Sequence, residues 1–218
     1  MTLKTRPLAK RLLAPAGALL IGLMSVHAQG GEGGLYGPTA PKGSAFVRAY
    51  NAGNSELSVN VGNTTLNDVG PLGSSDFKFL PAGSYSAKVG SQTLPVKLDA
   101  DQYYTLVDQP GAAPRLVEDP PYKNKQKALV RVQNLTDSKL TLKTADGKTA
   151  VVDGVAPQAR GEREINPVKV GLALYEGDRK VSDLKPVTLQ RGEVVCLYVT
   201  SSGGKLSPVW VKRPAAEG

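Results

Sequence analysis

The 218-residue sequence predicts an all-β chain of two tandem, similar, Ig-like β-sandwich domains joined by a short proline-rich linker. Three observations predict it. Gly (24) and Pro (16) punctuate short runs in which apolar residues alternate with polar ones, the period of a half-buried strand. No stretch after residue 28 carries a helical stripe. Most telling, the chain repeats itself. Phe46-Val47-Arg48-Ala49-Tyr50-Asn51 returns as Leu129-Val130-Arg131-Val132-Gln133-Asn134. Val69-Gly70-Pro71 returns as Val155-Ala156-Pro157, and Pro81 as Pro167. Pro95-Val96-Lys97-Leu98 returns as Pro186-Val187-Thr188-Leu189, Leu106 as Leu197, and the Pro114, Leu116, Val117, Pro120 pattern as Pro208, Trp210, Val211, Pro214. The matches are collinear, and their offset grows only between matched runs, as loop insertions require.

Taken in order, residues 1–28 read as a cleaved signal peptide. Lys4, Arg6, Lys10 and Arg11 precede an apolar run from Leu12 to Val26 that is shorter than the roughly 20 residues a spanning helix needs, and small residues flank a cut after Ala28. Residues 29–43 form a flexible, Gly-rich N-terminal segment. Residues 44–118 form the first sandwich. Leu57-Ser58-Val59-Asn60-Val61 and Tyr85-Ser86-Ala87-Lys88-Val89 alternate as strands, and Val47 and Ala49 face inward. Residues 119–126 form the linker, in which Pro120 and Pro121 favour an extended backbone and limit relative freedom. Residues 127–214 form the second sandwich. There Val130 and Val132 face inward, Asp146-Gly147 marks a hairpin turn, and Val170-Gly171-Leu172-Ala173-Leu174 alternates as one strand.

Composition narrows the chemistry. The one histidine, His27, falls in the signal segment, so the exported chain has no imidazole for a Ser-His-Asp triad, a Cys-His pair or a His-ligated metal. One cysteine, Cys196, precludes an internal disulfide. It sits in an apolar strand, where a buried thiol is favoured over a reactive carrier. Gly73-Ser74-Ser75-Asp76 is a turn in which side chains bond the backbone, not a nucleophile elbow. Asp99 and Asp101 read as a solvated turn rather than a calcium loop. Adjacent Tyr103 and Tyr104 must place one ring on each face of a strand, and Trp210, which repeats Leu116, fits a core position as well as a sugar platform. No cofactor is implied.

Charge is uneven. Four bases and no acids in the signal lower the balance from +8 to +4, and the excess lies beyond residue 115. This is too mild for nucleic acid, but a basic surface on the second half suits an acidic partner or an anionic polymer. The densest run is Tyr122, Lys123, Lys125 and Lys127, with Arg131 following. With Lys212 and Arg213 these residues form the candidate partner or polymer contact at the domain junction.

Longer strings resemble one family. Leu35-Tyr36-Gly37-Pro38, Pro71-Leu72-Gly73-Ser74-Ser75-Asp76-Phe77, Pro110-Gly111-Ala112-Ala113-Pro114, the run from Lys123 to Asn134, and Leu206 to Pro214 resemble the AlgF family of alginate O-acetylation accessory proteins, over nearly all of residues 35–214. The resemblance implies a periplasmic, non-catalytic adaptor required for acetylating mannuronate hydroxyls of alginate. Its implied partners are the membrane-bound O-acyltransferase AlgI and the SGNH-type proteins AlgJ and AlgX. A module that binds alginate and presents it is the alternative, and an acetyl-carrying enzyme a distant third. The family supplies no catalytic residue to place on this sequence.

Overall fold

The computed structural model describes residues 39–213, and within them every regular element is a strand. The signal segment with His27, the start of the Gly-rich segment, and Pro214 lie outside the described residues.

Eight strands build the first sandwich: β1 (Ser44–Asn51), β2 (Leu57–Val61), β3 (Thr64–Val69), β4 (Lys78–Pro81), β5 (Gly83–Val89), β6 (Gln92–Leu98), β7 (Tyr103–Asp108) and β8 (Arg115–Glu118). One sheet has the order β4-β1-β7-β8, with β1 and β7 parallel, and the other the order β3-β2-β5-β6. The second sandwich uses β9 (Ala128–Asn134), β10 (Leu140–Thr144), β11 (Ala150–Val155), β12 (Arg160–Ile165), β13 (Val168–Val170), β14 (Leu172–Glu176), β15 (Arg179–Asp183), β16 (Val187–Leu189), β17 (Val194–Ser202) and β18 (Lys205–Arg213). Its sheets have the orders β12-β9-β17-β18, again with a parallel central pair, and β11-β10-β14-β15. These two four-stranded orders match those of the first sandwich, and the short β13–β16 pair is the addition.

The repeat extends to backbone conformation. Left-handed residues occupy matched positions: Asp68 with Gly154, Leu72 with Gln158, and Asp101 with Gly192. Asn51 and Asn134 also act alike. The amide of Asn51 donates to the carbonyls of Ser55 (2.7 Å) and Val69 (2.8 Å), and that of Asn134 to those of Ser138 (2.7 Å) and Val155 (3.2 Å). Each closes the same loop with side-chain hydrogen bonds.

One expected strand is divided. The hairpin of β5 and β6 pairs without a break from Gly83–Leu98 to Val89–Gln92. Its counterpart is cut into β13–β16 and β14–β15 at Gly171. There the carbonyl of Gly171 turns to accept from the Ala145 amide (3.0 Å) instead of the hairpin partner. Opposite it Leu184, Lys185 and Pro186 fall between β15 and β16, and Pro186 has no N–H to contribute. Alternating hydrophobicity does not report a main-chain bond diverted to the turn after β10.

Each sandwich has its own core. Val47, Ala49, Val59, Leu66 and Leu106 meet in the first, and Val130, Val132, Leu142, Leu174 and Leu197 in the second. The inward facing of Val47, Ala49, Val130 and Val132 follows the sequence pattern. Burial also separates two kinds of strand. β2, β5 and β6 alternate buried and exposed positions, as sheets wet on one side do, whereas every residue of β9 and all but one of β1 are buried. A third apolar cluster explains this: Tyr50, Ala52 and Val107 of the first half pack on Leu135, Cys196, Tyr198 and Val211 of the second. The β1 and β9 sheets therefore meet back to back.

Candidate functional site

The alternation that sends Val47 and Ala49 into the first core sends Arg48 and Tyr50 out of its other face. The same rule sends Arg131 and Gln133 out of β9. These faces meet, so both repeat-matched arginines are buried, at 2% and 1% exposure. Asp119, the first linker residue and itself fully buried, lies between them. Arg48 Nη2 donates to Asp119 Oδ2 at 2.8 Å, and Arg131 Nη1 donates to Asp119 Oδ1. One carboxylate thus accepts from two guanidinium groups, one from each sandwich.

The remaining donors are also placed. Arg48 Nε reaches Thr105 Oγ1 (3.1 Å), its neighbour across the β1–β7 register, and Nη2 reaches the Tyr198 hydroxyl (3.5 Å). Its guanidinium lies over the Phe77 ring at 4.7 Å, a cation–π contact in a desolvated setting. Arg131 donates from Nε to Glu162 (2.6 Å) and from Nη2 to the carbonyl of Pro120 (3.0 Å). Glu162 in turn pairs with Arg160 (3.0 Å) toward solvent. Tyr50 stacks on Tyr198 with centroids 4.8 Å apart. Gln133 Nε2 donates to the carbonyl of Glu118 (2.9 Å) and so also ties the linker to β9.

Burial sets the proton affinities here. Desolvation pushes the Tyr50 phenol up to about 12, and its hydroxyl has no hydrogen-bond partner among the described residues. Tyr198 is pushed higher still, again chiefly by burial, with the charges of Cys196 and Arg48 acting in opposite directions. Cys196, which faces Arg131 across the β9–β17 register, is wholly buried. Burial first, and then the Asp119 charge, drive its thiol well above the ordinary range. It is a small packing residue and not a nucleophile. For Arg48, burial opposes the charge, but Tyr198 and Asp119 outweigh it and the guanidinium stays protonated.

The other motifs resolve as follows. Ser75 Oγ accepts from the Ala49 amide (2.9 Å) and donates to the Asp76 carbonyl (2.9 Å), so it braces a turn. Asp146 accepts from Thr144 and from the Lys148 amide within the β10–β11 hairpin. Tyr104 enters the core, while Tyr103 stacks on Phe46 at 4.3 Å. Trp210 packs partly buried against the second core. Two clefts open elsewhere. One of about 770 Å³ is lined by Lys42, Asn63, Phe79 and Tyr85, and one of about 360 Å³ by Lys127, Arg163, Glu164 and Val168. Ser44 borders the larger cleft, but its hydroxyl donates to the Pro41 carbonyl (2.7 Å). Among the described residues no group of acids and cysteine could hold a metal ion, and no helix is long and apolar enough to cross a membrane.

Of the expected contact residues, Lys123, Lys125 and Lys127 are exposed beside the junction. Tyr122 is half-buried, its phenol pushed up to about 12 by desolvation and by Glu164. Lys212 and Arg213 end β18 opposite Val195 and Val194, with side chains outside those described. Arg131 is the correction. It is buried and bound to Asp119 and Glu162, and so is unavailable at the surface. Asp119, Arg48, Glu162 and Tyr198 were not singled out from sequence, although the matched arginines were already in the repeat. An arginine conserved between two copies, in mid-strand and out of phase with the core, was the available signal.

A family model described as "Alginate O-acetyl transferase AlgF" matches residues 18–196. An "Alginate biosynthesis protein AlgF" from Pseudomonas aeruginosa is 76% identical over 197 residues, spanning 90% of this chain and 91% of its own length. The solved C-terminal domain of AlgF from P. aeruginosa is 81% identical and covers 41% of this chain and all of that domain, with a TM-score of 0.39. The solved N-terminal domain is 77% identical and covers 38% of this chain and all of that domain, with a TM-score of 0.34. The chain belongs to the AlgF family.

Proposed function

We propose that this chain is a non-catalytic periplasmic adaptor in the O-acetylation of alginate. It holds the membrane-bound O-acyltransferase close to the SGNH-type acetyltransferases that modify mannuronate hydroxyls. Family membership supports the pathway. The adaptor role rests on one observation above all: the polar groups clustered deepest in the molecule join its two halves. Asp119 satisfies Arg48 and Arg131, and Cys196 beside them is sealed from solvent. A chemical step needs an accessible nucleophile with a proton acceptor. Here the thiol is held protonated and Ser75 is committed to its own turn. The family description includes the word transferase, and this reading assigns the transfer itself to the partners.

What two fused sandwiches provide is a frame of fixed geometry. Tethering partners on one frame raises their mutual effective concentration to the order of mM for short links. Exposed Lys123, Lys125 and Lys127 beside the junction remain the proposed contacts for an acidic partner surface or for the polymer.

A strain lacking the gene, complemented with Cys196→Ala, tests the division of labour. Alginate acetylation is expected to return to the wild-type level, measured as ester content per uronate. Transfer of acetyl groups to polymannuronate by the purified chain alone would overturn the reading.

A further inference from the structure

The two copies share a four-residue turn, and they differ at its third position. In the first copy the turn is Gly70-Pro71-Leu72-Gly73, closed by Gly73 N–H to the Gly70 carbonyl (3.1 Å). In the second it is Ala156-Pro157-Gln158-Ala159, closed by Ala159 N–H to the Ala156 carbonyl (3.3 Å). The carbonyl of each turn's last residue then accepts from the main-chain N–H of the matched asparagine at 2.9 Å, Gly73 from Asn51 and Ala159 from Asn134. The third residue is left-handed in both, with φ of 55° at Leu72 and 58° at Gln158. That backbone region suits glycine and disfavours a branched apolar side chain.

Gln158 offsets the strain locally. Its side-chain amide donates to the Thr136 carbonyl (3.1 Å) and to Asp137 Oδ1 (3.2 Å), which pins the turn to the neighbouring loop. Leu72 has no such chemistry and is 48% exposed, one of two large apolar side chains so open among the described residues. An exposed leucine alone needs no explanation. A leucine held at a left-handed position, where the twin copy has a hydrogen-bonded glutamine, is unfavourable for the isolated molecule in both backbone and solvent terms. Strain of this kind persists where function requires it.

Its surroundings are acidic. Asp68, also left-handed (φ 56°), is exposed where the second copy has Gly154. The pairing of Leu57 with Val69 brings exposed Glu56 alongside Gly70, and exposed Asp76 follows the turn.

We infer that the Gly70–Gly73 turn is a protein-docking knob. Leu72 inserts into an apolar socket on a partner whose rim is cationic, matching Glu56, Asp68 and Asp76. Complementary charge around an apolar contact steers the encounter and fixes its register. The inference rests on the adaptor reading and names the surface by which the adaptor holds an SGNH-type acetyltransferase.

Leu72→Gln, which imports the twin residue, and Leu72→Gly, which removes the strain, are compared with wild type for binding to the purified SGNH-type acetyltransferases, alongside thermal melts. Wild type is expected to bind at least one of them. Both variants should bind about tenfold or more weakly while melting at or above the wild-type temperature. Unchanged binding by both variants overturns the knob and leaves the adaptor standing. Absence of wild-type binding to either enzyme overturns both. Variants that melt well below wild type overturn the strain argument and the inference with it. A wild-type dimer that Leu72→Gln dissolves assigns the knob to a second copy and likewise overturns the proposal.

Discussion

Set side by side, the two sandwiches keep their inward faces and diverge on the faces that touch. Val47 and Ala49 have equivalents in Val130 and Val132, and the orders of the four-stranded sheets agree. Outward, Arg48 is flanked by Thr105 and Phe77, whereas Arg131 is flanked by Cys196 and Glu162. A duplicated domain first presents its neighbour with an identical face, and identical charges repel. Here that conflict is settled by one acid on the connector, with a second, Glu162, on the Arg131 side only.

The largest effect should follow from removing the shared acid. Asp119→Asn leaves the buried Arg48 guanidinium without a counter-charge and Arg131 with Glu162 alone, and should cost about 3–5 kcal/mol in denaturant unfolding. If the common face is what couples the copies, wild type should unfold in one transition and the variant in two. A single transition with unchanged midpoint would break the comparison.

Next come the arginines one at a time. Arg131 donates to two carboxylates and a carbonyl, while Arg48 has a single carboxylate acceptor. Arg131→Met should therefore destabilise more than Arg48→Met, each by about 1–3 kcal/mol, the worth of hydrogen bonds to charged groups. Equal losses would mean that Glu162 adds nothing on its side.

The smallest effect lies with the stacked tyrosines. Burial raises the Tyr50 phenol in the folded state above its unfolded value near 10. A raised pKa contributes stability that is fully present below about pH 10 and is lost as pH climbs toward the folded value of about 12. Melting temperature should hold steady through neutral pH and fall above pH 10. Tyr50→Phe, which removes a buried hydroxyl with no partner among the described residues, should flatten that fall and leave neutral stability unchanged or raised by up to about 1 kcal/mol.

Much of this was legible in the sequence because it is local or repeated. Alternation located most strands, the repeat gave the two-sandwich plan, and turn chemistry explained Ser75 and Asp146. The break at Gly171 was not legible, because it depends on a carbonyl diverted to Ala145. Nor was the buried state of Arg131. A charge run reads as surface until the surface it faces is known, and here that surface is the other copy. Asp119 was placed in a linker and valued for its prolines, since nothing in the chain order shows that its carboxylate points back between two sheets.

The position of Asp119 at the head of the connector makes the two fragments of this chain unequal. Cleavage just before residue 119 would send the acid with Arg131, leaving the first fragment with an unmatched cation. Cleavage beyond the prolines would send it with Arg48 and leave Arg131 with Glu162 alone. Reassembly of the halves in trans should therefore depend less on how much chain each retains than on which inherits that single negative charge.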